Sequence, residues 1–398
     1  GLMDFHVHLD DFAGGFPIAD DFGTGSRAAI LNGVTTLFSF ATQRKNEGVF
    51  EAVNRMISKG SGKSFCDFSL HTTPISFEKK DWNEIEGLIE MGFMTFKFYT
   101  TYKESGLYMP YERLAGIFRR LASRGAVSLV HCEDHDVLDR ALSPETDFRN
   151  PYSHTFMRPE KAEVEGIRKV TGIARETCAK AHIVHVSTPE GLRLIKEARK
   201  ESDITCETAP HYLFLNDDCL KRKNGHRFLC APPLRSERAR DLMESEAAHG
   251  SFDTFATDHC PFSKRDKDSN AADIRKIPNG LAGTGSLFPM IYELLVKRHG
   301  KGLSEIAKRL SENPAKIAGI YPKKGTIRKG SDADLVIVRQ EGAERPVVSS
   351  LSDVYETFEG FVTGLDFRYV LLRGDIVVKD NVIVDAKKPS GECLWKIL

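Results

Sequence analysis

Short apolar runs, each followed by a charged stretch with helical spacing, recur through the first 260 positions of the chain. The runs are "LMDFHVHL" (2–9), "VTTLFSFA" (34–41), "CDFSLHTT" (66–73), "FMTFKFYT" (93–100), "AVSLVHCE" (126–133), "AHIVHVST" (181–188), "DITCETAPH" (203–211) and "FDTFATDH" (252–259). Their length and β-branched or aromatic content predict eight strands. Between them, segments such as "PYERLAGIFRRLASRG" (110–125), opened by Pro110 and closed by Gly125, and "TPEGLRLIKEARKE" (188–201) predict amphipathic helices. Strand and helix alternating eight times predict an α/β protein built as a (β/α)8 TIM barrel, with a doubly wound open sheet as the alternative. The polar residues favour the barrel. His6, His8, His71, Lys97, His131, His185, His211 and Asp258 all fall at or near the C-terminal ends of the runs, the face on which barrels carry their sites.

After about residue 320 the texture changes. "YPKKGTIRKGSDADLVIVRQEG" and "FRYVLLRGDIVVKDNVIVDA" alternate Val, Ile and Leu with polar residues and are broken by "KG", "RGD" and "KDN", a pattern for antiparallel strands. The expectation is a barrel over residues 1–320 and a small β-sandwich segment over 321–398, with "SENPAKIAGI" (311–320), Pro314 included, as the last helix on the barrel side. Residues 136–160 are longer than most barrel connections and are read as a subunit contact or partial lid. The Gly-rich stretches 22–26 and 280–286 lack the strand spacing of a nucleotide loop, and the second has no GK[ST].

Composition narrows the function without fixing it. The 398 residues include 56 basic and 56 acidic side chains; zero formal net charge argues against bulk nucleic-acid or anionic-membrane binding. No apolar run approaches the roughly 20 residues of a membrane span, and no signal peptide is visible, so the expectation is a cytoplasmic protein acting on a small molecule. The eight cysteines are dispersed without a CxxC, which fits reduced, packed thiols, Cys132 and Cys260 among them.

Residues i and i+2 of a strand share a face, so His6 and His8 project together. Joined by Lys97, His131, His185 and Asp258 from other strand ends, they offer nitrogen and carboxylate ligands that suit Zn²⁺, with Mn²⁺, Co²⁺ or Fe²⁺ as alternatives, and the lack of thiolates speaks against a purely structural zinc. Lys97 is the odd member, since a protonated amine cannot ligate a cation. Set among aromatics in "TFKFYTTY" and beside a dication, its pKa should fall, and a neutral amine takes up CO2 to form a carbamate able to bridge two metals. The plainer alternative has Lys97 snorkelling to the barrel mouth or pairing with Asp258. His71 and His182 read as structural or supporting residues, and His211 fits either role.

"DFHVHL", "FKFYTTY", "VHCED", "HVST", "ETAPHYL", "APPLR", "TDHCPF" and "NGLAGTGS" together resemble the amidohydrolase superfamily, most closely its cyclic-amidase branch of dihydropyrimidinases and hydantoinases, with allantoinase and dihydroorotase as cousins. The resemblance spans nearly the whole chain. It implies two divalent metals on a carbamylated Lys97: His6, His8 and Asp258 at the more buried ion, and His131 and His185 at the more exposed one. It also implies a sandwich built from both chain ends. This sequence starts at Gly1, directly before the HxH strand; the reading is that N-terminal sandwich strands are missing here, the alternative being an incomplete sandwich with an open edge.

Within that branch, dihydroorotase-like sites carry an arginine two positions after HxH for the substrate carboxylate; this chain has Asp10, which would repel it. Tyr102, five residues after Lys97, matches the tyrosine that stabilises the oxyanion in dihydropyrimidinases and hydantoinases. Asn279 and Ala231 match the two main-chain contacts to the substrate ring, although hydantoinases usually carry serine at the second. "VHCED" and "ETAPHYL" look closer to allantoinase. The resemblance implies ring opening of a small cyclic amide or imide to an N-carbamoyl amino acid. Asp258 would act first as base toward the attacking water and then as acid toward the leaving nitrogen. An allantoinase or dihydroorotase-like amidase is the alternative, and a catalytically inactive scaffold is the non-enzyme reading, opposed by six filled ligand positions. The resemblance also implies a homotetramer or homodimer.

Overall fold

The computed structural model of the protein describes residues 1–394. Eight parallel strands form one sheet in chain order: β1 (Leu2–Asp4), β2 (Val34–Thr42), β3 (Asp67–Thr73), β4 (Thr95–Tyr99), β5 (Val127–His131), β6 (Lys180–Ile183), β7 (Ile204–Thr208) and β8 (Thr254–Phe255). β2 is buried along its length except at Thr42, as expected of a parallel strand covered on both faces. Beyond the ends of β1 and β8 the chains meet: Val7 bridges His259 in parallel, and the His8 N–H donates to the His259 carbonyl at 2.7 Å. The sheet therefore closes into a barrel, and an open doubly wound sheet is excluded.

Helices α1 (Phe22–Leu31), α2 (Val49–Gly60), α3 (Lys79–Glu90), α4 (Tyr111–Ala122), α5 (Glu160–Thr177), α6 (Pro189–Ala198) and α7 (Glu237–Ala248) return the chain between strands. Their starts follow local chemistry. Asp21 and Thr24 exchange side-chain and main-chain hydrogen bonds at α1, and the Thr188 hydroxyl caps α6, whose first residue is Pro189. The "FGTGS" stretch is the first turns of α1. Pro314 lies in the segment Asn313–Ile317, which continues the helical run from Leu303; the turn before it, Lys308–Glu312, is widened to a π-helix, the local irregularity that accommodates a residue without an N–H.

The first strand is shorter than its apolar run. Asp4 accepts from the Thr257 N–H (3.0 Å) and hydroxyl (2.6 Å), drawing the end of β1 toward β8, so His6 and His8 follow the ladder instead of lying in it. Below them the barrel is filled by Phe5, whose ring lies 4.8 Å from both Phe38 and His71 and 5.6 Å from His182. This plug leaves the C-terminal mouth as the place for a site.

The C-terminal residues form an antiparallel sheet of β9 (Leu335–Arg339), β10 (Asp366–Leu372), β11 (Asp375–Lys379) and β12 (Val382–Ile383), joined in that order. Arg373–Gly374 and Asp380–Asn381 both have two successive positive φ angles, the two-residue hairpin turns that match strand twist. Phe367, Val370 and Val378 are buried, Phe367 against Phe288 at 5.7 Å, while Ile337, Ile376 and Val382 are exposed on the sheet. Among the described residues no helix is long and apolar enough to cross a membrane.

Candidate metal centre and active site

The barrel mouth gathers the strand-end residues. His6 Nε2 and His8 Nε2 lie 3.2 and 3.4 Å from the same Asp258 oxygen, and these three residues place their ligating atoms within 4.8 Å of one another. The His185 ring stands 5.5 Å from His6 and 4.5 Å from His131, so the histidine that ends β5 and the one that follows β6 continue the same cluster. The Tyr102 ring packs 5.1 Å from His131. Tyr102 (φ 66°), His185 (φ 38°) and Asp258 (φ 49°) all hold left-handed backbone conformations, costly for residues with a Cβ and concentrated where side chains must be aimed.

Carboxylates fix the rings. His6 Nδ1 meets Glu207 Oε1 at 2.6 Å and His131 Nε2 meets Glu133 Oε2 at 2.7 Å, which leaves His6 Nε2 and His131 Nδ1 as the open nitrogens. Burial lowers the pKa of His131 and holds those of His6 and His185 well below 6.5, Lys97 adding to the effect in each. Neutral imidazoles are the form that binds metals. Burial would raise the Asp258 carboxyl, but the His6 and His8 imidazoles more than offset it and hold it at about 2.

Lys97 is buried, its Nζ 5.3 Å from the centre of the Phe40 ring and 5.1 Å from that of Tyr99. It does not snorkel, and no carboxylate lies within ion-pair distance of it among the described residues. Burial lowers its pKa from 10.5 to about 8 against the opposing pull of Asp258 and Glu207. A desolvated amine with no carboxylate in ion-pair contact, facing neutral imidazoles, is a poor cation site as an ammonium and a good one as a carbamate. The donor set therefore fits a pair of divalent ions.

Other sequence expectations find their places. Gly280 N–H donates to the Leu229 carbonyl at 2.9 Å, bringing the Ala231 and Asn279 segments side by side, and Asn279 Oδ1 is buried without a partner. Asp10 is turned from the mouth, accepting from Phe22 N–H at 3.3 Å with Lys59 alongside at 3.9 Å. His71 (to Thr95 and the Phe5 carbonyl) and His182 (to Thr205 and Glu207) sit in the barrel plug as supports. Among the described residues His211 is buried with its Nε2 unpaired, its pKa lowered to about 4 by burial against the opposing pull of Asp258. The Cys132 and Cys260 thiols are buried, which pushes their pKa values up and keeps them protonated. The 280–286 stretch is a packing segment, where a Cβ on Gly283 would stand 2.8 Å from Thr257.

Sequence reasoning missed the supports of these groups. Glu207 and Glu133 stand at or just past strand ends and share the positional signal used for the histidines. Arg158, which pairs with Glu133 and lies 5.2 Å over the Tyr102 ring, and the buried Asp20–His259 pair at 3.0 Å depend on loops that carry no periodic signal.

A closed eight-stranded barrel with histidines, lysine and aspartate at its mouth defines a class, and the pattern of the amidohydrolase family matches residues 1–377. The chain belongs to that family, which implies a binuclear metal centre. More narrowly it falls in the cyclic-amidase branch. It is 31% identical over 401 residues to the D-hydantoinase of Geobacillus stearothermophilus, covering 96% of this chain and 83% of the relative. With the D-hydantoinase of Ralstonia pickettii it shares 29% over 394 residues, 96% of this chain and 85% of the relative. The crystal structure of dihydropyrimidinase from Brevibacillus agri NCHU1002 superposes with a TM-score of 0.94 at 30% identity, covering 99% of this chain and 87% of the other.

Proposed function

We propose that the protein hydrolyses a C–N bond of a cyclic amide or imide, opening a dihydropyrimidine or hydantoin ring to an N-carbamoyl amino acid. The observation that carries this reading is Lys97: an amine buried without a carboxylate in ion-pair contact among the described residues, at the mouth that also gathers His6, His8, His131, His185 and Asp258. His6, His8 and Asp258 would hold one divalent ion, His131 and His185 the other, and Lys97 both; zinc suits this nitrogen and oxygen set. Neutral Lys97 Nζ forms its new bond to the carbon of CO2 and releases one proton, leaving a carbamate with two oxygens. When bound, the two ions supply Lewis acidity and an ionisable water near neutral pH.

The chain's own residues do the rest. Asp258, ionised because its pKa is held at about 2, takes the proton of the attacking water and returns it to the leaving ring nitrogen. Burial pushes the Tyr102 phenol up, so it keeps its proton and donates a hydrogen bond to the oxyanion that develops on the ring carbonyl. Main-chain groups at Ala231 and Asn279 hold the ring. Phe40 and Tyr99 keep water from the Lys97 stem. The same reading takes 1–320 as the barrel unit and 321–398 as the sandwich segment of a cytoplasmic homotetramer or homodimer.

The test is turnover of 5,6-dihydrouracil, hydantoin, allantoin and dihydroorotate side by side, with the product identified by mass. Opening of dihydrouracil or hydantoin supports the proposal. Turnover of allantoin or dihydroorotate alone would overturn the choice of ring, and no turnover would favour a scaffold.

A further inference from the structure

Lys267 lies on the short helix Lys264–Asp268 and is 3% exposed. A lysine this buried normally meets a carboxylate; among the described residues this one meets none. Its Nζ donates to the Leu229 carbonyl at 2.9 Å and the Pro278 carbonyl at 2.8 Å, and the Phe262 ring, 5.8 Å away, the thiols of Cys230 and Cys260 and the His154 imidazole lie near it. Its pKa is lowered by burial to about 8, a measure of what desolvating it costs. An apolar side chain could fill the same space, so the amine is there for its two hydrogen bonds.

Both acceptors sit next to the segments that face the ring. In a trans peptide the carbonyl of one residue and the N–H of the next point in opposite directions. Drawing the Pro278 carbonyl toward Lys267 turns the Asn279 N–H away from it, and drawing the Leu229 carbonyl does the same for Cys230. His154 repeats the device one peptide on: its Nε2 meets the Cys230 carbonyl at 2.8 Å, turning the Ala231 N–H away. Among the described residues, no protein acceptor engages the N–H of Ala231 or of Asn279. The 279–281 segment is also tied to the chain that follows β8. Cys260 N–H donates to the Leu281 carbonyl at 2.9 Å, and a Cβ on Gly280 would stand 2.3 Å from the Cys260 carbonyl. The loops that flank the ring thus share one buried cation and lie against the strand end that carries Asp258.

We propose that Lys267 is a positioning residue for ring recognition: by donating to the Pro278 and Leu229 carbonyls, it fixes the peptide plane that aims the Asn279 N–H and the plane immediately before the one His154 holds at Ala231, so that main-chain groups of both segments face the substrate. This rests on the ring-opening function proposed above.

The experiment compares metal-loaded wild type with Lys267→Met, which keeps the length of the stem, and Lys267→Gln, which keeps an N–H donor. The readouts are amide hydrogen exchange, steady-state kinetics and metal content. Expected for the Met variant is faster exchange, by roughly 10-fold or more, in 229–231 and 279–281 together, with the barrel strands unchanged. KM for the ring should rise roughly 10- to 100-fold with a smaller change in kcat, the size of losing hydrogen bonds from a charged donor, and metal content should hold. The Gln variant should fall between the two, and it carries the comparison if the Met variant does not fold. Unchanged exchange in the two segments, or a lower melting temperature with KM unaltered, would overturn the proposal. Exchange does not need a substrate, so a wild type that opens no ring would defeat the functional reading while the exchange result still decides the role of Lys267.

Discussion

Replacing Glu207 by Gln should loosen the metal centre without disturbing the fold. Glu207, buried on β7, meets His6 Nδ1 at 2.6 Å and His182 Nε2 at 3.2 Å, and accepts from the His185 N–H at 3.4 Å. One carboxylate thus sets the tautomer of His6 and touches the chain of His185. Gln keeps the shape and one acceptor for His6 Nδ1–H but removes the charge that makes the imidazole a stronger donor to a cation. A hydrogen bond to a charged group contributes ~1.5–3 kcal/mol against ~0.5–1.5 for a neutral one, so the short His6 contact alone loses about 1–1.5 kcal/mol, with a smaller loss at the longer contacts. The sum lies near the 10- to 100-fold fall in metal affinity typical of a lost outer carboxylate, roughly 1.4–2.7 kcal/mol. The assay is metal per chain across a series of chelator-buffered zinc concentrations. The midpoint should move up by that factor, while circular dichroism of the metal-free protein is unchanged. A folded Glu207→Gln protein whose midpoint stays within about twofold of wild type would refute the reasoning that His6 is a ligand tuned by Glu207.

Three further outcomes follow from the site and its frame. Tyr102→Phe should lower kcat by roughly 10²–10³ with little change in KM, as loss of one oxyanion donor does; a change confined to KM would assign the phenol to ground-state binding. Lys97 loses its proton as pH rises through about 8, so only about a tenth of the amine is neutral at pH 7 and most of it at pH 9. In metal-free protein at fixed CO2 pressure, a ¹³C carbamate resonance should therefore grow over that interval and be missing in Lys97→Arg; a pH-independent signal would contradict it. Lys324, fully buried, pairs with Asp67 (2.9 Å), Asp332 (3.1 Å) and Asp334, tying β3 to the start of the C-terminal sheet. Asp67 also pairs with Arg373 and Asp332 with Lys323, so Lys324→Met leaves Asp334 buried without its cation and should cost ~3–5 kcal/mol in urea unfolding, with ring opening by the folded fraction retained; a loss under about 1 kcal/mol would show that the cluster is solvated.

The barrel was legible because parallel strands buried on both faces leave continuous apolar runs, and because a barrel puts function at strand ends. His6, His8, Lys97, His131, His185 and Asp258 could be collected from position alone. The same rule would have found Glu207, last but one in β7, and Glu133, two residues past His131. What the pattern could not convey is pairing at long range. Arg158 reaches Glu133 and Asp20 reaches His259 from loops, and Lys267 reaches Pro278 from a five-residue helix, segments too short or irregular for a local period to mark them. The length of β1 was misjudged for a related reason. Asp4 is drawn across to Thr257, a contact between the two ends of the barrel that the apolar run gives no hint of. In the C-terminal sheet, "RGD" and "KDN" announced the hairpins because a two-residue turn demands residues that tolerate positive φ.

The central claim is that six side chains from five strand ends hold two divalent ions, with Lys97 shared between them. It is tested most directly by counting metals per chain, by inductively coupled plasma mass spectrometry, in protein purified with zinc and bicarbonate, beside Lys97→Ala prepared in the same way. About two per chain are expected in the wild type and fewer in the variant. A wild type that binds none, or a variant that still binds two, would contradict it.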